Sequence, residues 1–205
     1  MTVVIVKEVI VARGVRARMV ASTADLLARK GLQATSLSDV LQRSGAPRGS
    51  MYHHFPEGKD ELVGSALELA GARAIEWLDQ KAGEPAEEVA AWFLHIWREV
   101  LIRSKFEAGC AVLAVTVAAD SPALLMRAAG VFRTWRRRLA ELLEQGGMAQ
   151  AEAARMAATL IASTEGAVAL SRAEQSLEPF DLVAEQLLDQ IRRPRTGSRP
   201  RRSER

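Results

Sequence analysis

"SGAPRGSMYHHFPEGKDEL", residues 44–62, breaks otherwise helical sequence with two prolines and three glycines, and it holds the only tyrosine of the chain and two of its three histidines. Upstream, "SLSDVLQRS" (36–44) has Ser36 or Ser38 as N-cap and puts Leu37, Val40 and Leu41 on one face. Gly45-Ala46 then leaves a turn too short for antiparallel packing. Two short helices joined by a tight glycine turn form the helix-turn-helix plan, whose second helix enters a groove of DNA. Gly45 supplies the positive φ of the turn, and Pro47 gives up only an N–H that a first-turn residue leaves unbonded. Ala46 and Met51 are the contacts that seat this helix on Leu37 and Leu41.

The outward residues are then Arg48, Gly49, Ser50, His53 and His54. Arg48 can fork onto a guanine edge, and Gly49 has no side chain to hold the backbone off the bases. Ser50 and the Tyr52 hydroxyl suit phosphates, which position a duplex without reading it. Lys59 opens the next helix, so its ammonium and the free N–H groups behind it can share a phosphate. The competing readings are a His53-His54 metal pair, which lacks the cysteine or carboxylate partners of a familiar ligand set, and an ordinary helix corner. No metal site and no cofactor is expected.

Charge is segregated around this unit. Residues 1–58 carry +4, residues 59–191 carry −7, and the tail "RRPRTGSRPRRSER" (192–205) carries +6, although the whole chain is only +3. A basic front on an acidic body predicts that the first part meets a polyanion and the second does not. Cys110, alone, excludes an intramolecular disulfide and fits the reducing cytoplasm. No apolar run reaches the roughly 18 residues of a membrane span, so no membrane partner is expected. "MTVVIVKEVIVARG" (1–14) is an N-terminal extension that fits either an ordered arm or an upstream start choice. Residues 193–205 are expected to be a disordered basic tail.

The fold class is all-α, with about nine helices. "VRARMVASTADLLARKG" (15–31) repeats at Met19, Val20, Thr23, Leu26 and Leu27, with Gly31 as C-cap. A long helix runs from Lys59 to about Lys81, and Pro85 begins the next. "GCAVLAVTVAAD" (109–120) reads as a short apolar helix, followed by helices over 123–145, 149–174 and 179–192. Trp92, Phe93, Trp97, Phe106, Leu113, Met126, Phe132 and Trp135 are candidates to line a ligand cavity, with Cys110 and Thr116 as polar handles; the same spacing also describes a filled core. The small-residue face Ala153, Ala154, Ala157, Ala158, Ala162, Gly166 and Ala169 admits a close helix partner, and Leu182, Leu187 and Ile191 offer the ridge.

"RARMVASTADLLARKG" followed by "ATSLSDVLQRSGAPRGSMYHHFPEGKDEL" closely resembles the DNA-binding domain of the TetR family of bacterial regulators. "GAPRGS", the extra Gly58 and "GC" at 109–110 resemble its LmrA/YxaF branch. The resemblance implies a three-helix DNA-binding domain over 15–75, with the helix-turn-helix at about 36–55, and a ligand-binding and dimerisation domain over 76–192. It implies that Thr35 and Ser36 contact phosphate, that Arg48, Gly49 and Ser50 face bases, and that Tyr52, His53 and Lys59 grip the backbone. Leu41 departs from the family pattern, where a small residue is usual. The expected function is a ligand-responsive regulator, a homodimer joined through about 149–192. It would be released from pseudo-palindromic double-stranded operator DNA by a small apolar or aromatic effector. The alternative is an all-helical small-molecule-binding protein or enzyme without sequence-specific DNA binding; no nucleophile, base or metal constellation supports catalysis.

Overall fold

In the computed structural model, residues 14–192 are described; the extension through residue 13 and the tail from 193 to 205 lie outside them. Nine helices and no strand occur among the described residues. They are α1 (Val15–Lys30), α2 (Leu37–Ser44), α3 (Ser50–His54), α4 (Lys59–Asp79), α5 (Ala86–Ser104), α6 (Ala111–Thr116), α7 (Pro122–Gln145), α8 (Gln150–Glu174) and α9 (Glu178–Arg192).

Local chemistry sets the ends of the head helices. Ser36 caps α2 in a full capping box: its Oγ accepts from the Asp39 N–H and the Asp39 carboxylate accepts from the Ser36 N–H. Gly45 ends α2 in the left-handed region at φ 63°, ψ 26°, which a residue with a Cβ adopts only at a cost. The recognition segment starts later than Pro47. Residues 47–49 form tight turns in which the Ser50 N–H donates to Pro47 O and the Met51 N–H to Arg48 O, and regular helix covers only Ser50–His54. The cause is local, since Gly49 has little helix propensity and Pro47 has no donor to bond backward.

The head and the body share α4, which runs unbroken through residue 75. One core cluster joins Met19, Leu27, Val40, Met51, Phe55 and Leu67 of the head to Val112, Val115, Leu124 and Ala128 of α6 and α7. A second holds Val89, Leu94, Leu101, Leu139, Leu142, Leu160, Phe180 and Leu187 from α5, α7, α8 and α9. α1 packs on α2, α3, α4 and α6, whereas α7 packs on α4, α5, α6 and α8. Gly71 permits the close approach of α4 to α7: a Cβ there would meet Val131 at 3.1 Å, and its carbonyl accepts from Trp135 Nε1 at 3.1 Å.

The small-residue face expected on α8 divides in two. Ala153 and Ala157 are buried within the protomer, whereas Ala154, Ala162, Gly166 and Ala169 are exposed beside exposed Leu170. Leu182 of the expected ridge is exposed, but Leu187 belongs to the protomer core.

α8 also buries a carboxylic acid. Glu165 is 9% exposed, and its Oε2 and the Thr164 hydroxyl have no hydrogen-bond partner among the described residues. Burial pushes Glu165 up to about 7, against a smaller opposing effect of a hydrogen bond with Cys110. The folded chain therefore keeps a proton that the unfolded chain has released between about pH 4.5 and 7, so stability falls as pH rises through that window. Glu165→Gln removes the ionisation. Thermal melts should show it raising stability by about 3 kcal/mol near pH 8, an advantage that fades towards pH 4.

Candidate DNA-reading head and effector cavity

The head presents its polar residues unevenly. Arg48, Gly49, Tyr52 and His53 are exposed, Tyr52 by 76%, while Ser50 and His54 are half-buried. Met51 and Phe55, buried to 2% and 0% exposure, anchor the segment, and Arg16 lies over the Phe55 ring at 5.0 Å from its centroid. The small, wet front of α3 thus rests on an apolar back. His53 and His54 stack edge-on with centroids 4.8 Å apart, and no group of metal-ligating side chains occurs among the described residues.

Two expected phosphate contacts face inward. Thr35 is 1% exposed, and its hydroxyl donates to Gly31 O at 2.7 Å, closing the turn between α1 and α2. Lys59 reaches back across the head to donate to Leu32 O at 3.1 Å, leaving two ammonium donors for another acceptor. Ser36 is exposed, although its hydroxyl already accepts the capping bond.

Behind the head lies a largely apolar cavity of about 660 Å³. Its walls come from α1, α4, α5 and α7, and it is closed by the 108–112 segment at the start of α6. Of the expected lining residues it brings together Phe93, Trp97, Cys110 and Trp135. Trp92 is not among the residues that line it; its Nε1 donates to Trp77 O at 2.8 Å. Phe132 is also outside, edge-on to Trp135 at 5.6 Å, and Phe106 packs on the second core. Leu113 faces a smaller cavity of about 410 Å³ between α1, α6 and α8. Met126 and Thr116 are exposed, the Thr116 hydroxyl donating to Val112 O.

Sequence reasoning missed Arg73 and Trp77, which also line the main cavity. The available signal was small residues, not aromatic ones. Ala21, Ala24 and Ala28 of α1 and Ala70 and Ala74 of α4 recur at helical spacing on walls where larger side chains would fill the space.

The segment between α5 and α6 ties cavity to head. Lys105 and Phe106 are consecutive non-glycine residues in the left-handed region, at φ 53° and 61°. Arg172 of α8 holds this strained corner, donating to Glu107 O at 3.0 Å, Phe106 O at 3.3 Å and Arg29 O at 3.3 Å. Gly109 follows, its N–H donating to Ala28 O at 2.8 Å; a Cβ there would press on Arg172. Cys110 caps α6, its Sγ accepting from the Leu113 N–H. Burial and the neighbouring Glu165 push its thiol well above the ordinary range, so it is no ready thiolate.

Comparison with known proteins agrees with this architecture. Residues 20–66 match the bacterial regulatory proteins of the tetR family, and residues 85–186 match the C-terminal domain of LmrA/YxaF-like transcriptional regulators. An HTH-type transcriptional regulator of Mycobacterium tuberculosis is 36% identical over 182 residues, covering 85% of this chain and 93% of its own. YxaF of Bacillus subtilis is 30% identical, covering 84% and 92%, and LmrA of the same organism is 24% identical, covering 87% and 97%. A regulatory protein TetR from Rhodobacter sphaeroides shares the fold at a TM-score of 0.76 and 21% identity, covering 84% and 96%. These families and relatives are regulators of transcription, not enzymes. A helix-turn-helix head on a helical body, matched over both parts, makes this chain a member of the TetR family of transcriptional regulators, in its LmrA/YxaF-like branch.

Proposed function

We propose that the protein is a repressor whose dimer holds two α3 segments on a pseudo-palindromic operator and releases it when a small apolar or aromatic effector enters the main cavity. The observation that carries this reading is the shared wall: α1 belongs to the head core on one face and lines the cavity on the other. An occupant that presses on Ala24 and Ala28 therefore moves the helix on which α2 and α3 rest. The same shift reaches the pinned corner through the Gly109–Ala28 bond. An effector acts in this way only through unequal affinity for the operator-bound and released arrangements.

The exposed stripe Ala154, Ala162, Gly166 and Ala169, with Leu170 and Leu182, supports pairing of α8 and α9 between two copies. A two-fold pair would present the heads to successive major grooves about 34–36 Å apart. In this arrangement Arg48 reads bases over the bare backbone of Gly49 with Ser50 beside it, and Tyr52, His53 and Lys59 grip phosphates. Ser36 stands at the same edge, and Thr35 serves by closing the turn behind it. No helix among the described residues is long and apolar enough to cross a membrane, in keeping with a cytoplasmic regulator.

The reading is tested by fluorescence anisotropy on DNA from upstream of the protein's own gene, at fixed salt. Arg48→Ala should cost about 1–3 kcal/mol on the preferred site and relax preference at one base position. Lys59→Ala should weaken every duplex alike and lower the salt slope by about one. Equal affinity of the native protein for all duplexes would exclude sequence-specific control. Arg172→Met should lower folding stability by about 1–3 kcal/mol and blunt operator release by any compound that releases the native dimer.

A further inference from the structure

We propose that the main cavity selects an apolar ligand carrying an anionic group, and that Arg73 receives this group. The inference deepens the effector-cavity reading and rests on it. It follows from an ion-by-ion account of the cavity wall. Four arginines line it, Arg29, Arg43, Arg73 and Arg103, against one acid, Asp25. Asp25 pairs with both Arg29 and Arg43. Arg29 also binds Glu107 at 2.6 Å, and Arg103 binds Glu99 at 2.6 Å. Arg73 alone among these four makes no ion pair or hydrogen bond among the described residues.

Its setting makes that isolation consequential. Arg73 is half-buried on α4, in a wall that also contains Ala70, Ala74, Trp77 and Trp97. Burial lowers its pKa from the usual guanidinium range, only partly offset by the exposed Glu76 nearby. A guanidinium half-buried against apolar surface has lost part of its hydration, and an oxyanion with two free oxygens replaces that water through two parallel N–H···O bonds. The aromatic and aliphatic remainder of the wall then takes the ligand body. The ligand class is therefore an aromatic or aliphatic acid, with a carboxylate or sulfonate at the end that meets α4.

The test uses the full chain at neutral pH and two fluorescent probes of one skeleton, anilinonaphthalene sulfonate and its uncharged parent phenylnaphthylamine. Both brighten on leaving water, and both can take excitation energy from Trp77, Trp97 and Trp135 of the wall. The native protein should bind the sulfonate more tightly than the parent by roughly tenfold to hundredfold. Arg73→Met should erase that preference by weakening the sulfonate and not the parent, and Arg73→Lys should keep part of it. Circular dichroism checks that each variant is folded; should Arg73→Met lose helix, Arg73→Gln takes its place. Equal affinity of the two probes for the native protein, or a preference untouched in a folded Arg73→Met, overturns the proposal and leaves the cavity reading standing. Ala74→Phe, which narrows the cavity, separates the two claims. In a folded variant, weaker binding of both probes supports the cavity as their site, whereas unchanged binding of both places them outside it and overturns the proposal.

Discussion

The rest of the structure depends on how the carboxyl end of α1 is held. Ala28 O accepts from the Gly109 N–H, Arg29 O accepts from Arg172, and the Arg29 side chain binds Glu107. Three bonds thereby join the head's first helix to the corner before α6 and, through Arg172, to α8. Two of them use main-chain carbonyls that a helix end leaves without intrahelical donors, so the link exploits groups that otherwise need water. A buried backbone bond of this kind is short, directional and costly to leave unmade, and this makes the connection stiff where an apolar contact would slide.

Beside that link lies the larger of the two cavities described above. Most helices of the molecule meet through large side chains, but α1 and α4 turn alanines towards Trp97 and Trp135. Small residues opposite large ones leave space, and the surfaces around it forgo the dispersion contacts that a filled core would make. The site is therefore a region of unrealised packing placed beside the stiffest connection to the head. In the proposed switch, an occupant of this space would add packing contacts to the body and press on α1 at once.

Much of this was legible in the residues. The helix count, the left-handed glycine of the turn, a serine cap at Ser36 or Ser38, which the structure places at Ser36, and the anchoring of α3 through Met51 followed from spacing, because caps and turns are local chemistry. The start of α3 was less so, since Pro47 satisfies the rule for a first-turn residue while Gly49 delays regular helix. Cavity lining was the least legible. Trp92 and Trp97 stand on one helix, five residues and so about 140° apart, and which of those faces meets the open space depends on the opposing helices. Arg73 carried no local signal at all, because an arginine on a long helix looks solvated until the opposing helices are known. The inward turn of Thr35 differs in origin: its hydroxyl donates to Gly31 O only four residues back, a local bond that its resemblance-based assignment to phosphate passed over.

The corner at 105–109 shows why the coupling runs in both directions. Lys105 and Phe106 sit in a backbone region that ordinary residues avoid, and Arg172 holds them there with carbonyl bonds from another helix. In the proposed switch, displacing that clamp is what would let the corner relax. If an effector favours the relaxed form, operator DNA must favour the clamped one by the same coupling free energy, and bound DNA then lowers affinity for the effector by the factor that the effector lowers affinity for DNA. In the proposed switch, only the difference in effector affinity between the two forms reaches the head, whatever the effector's total binding energy.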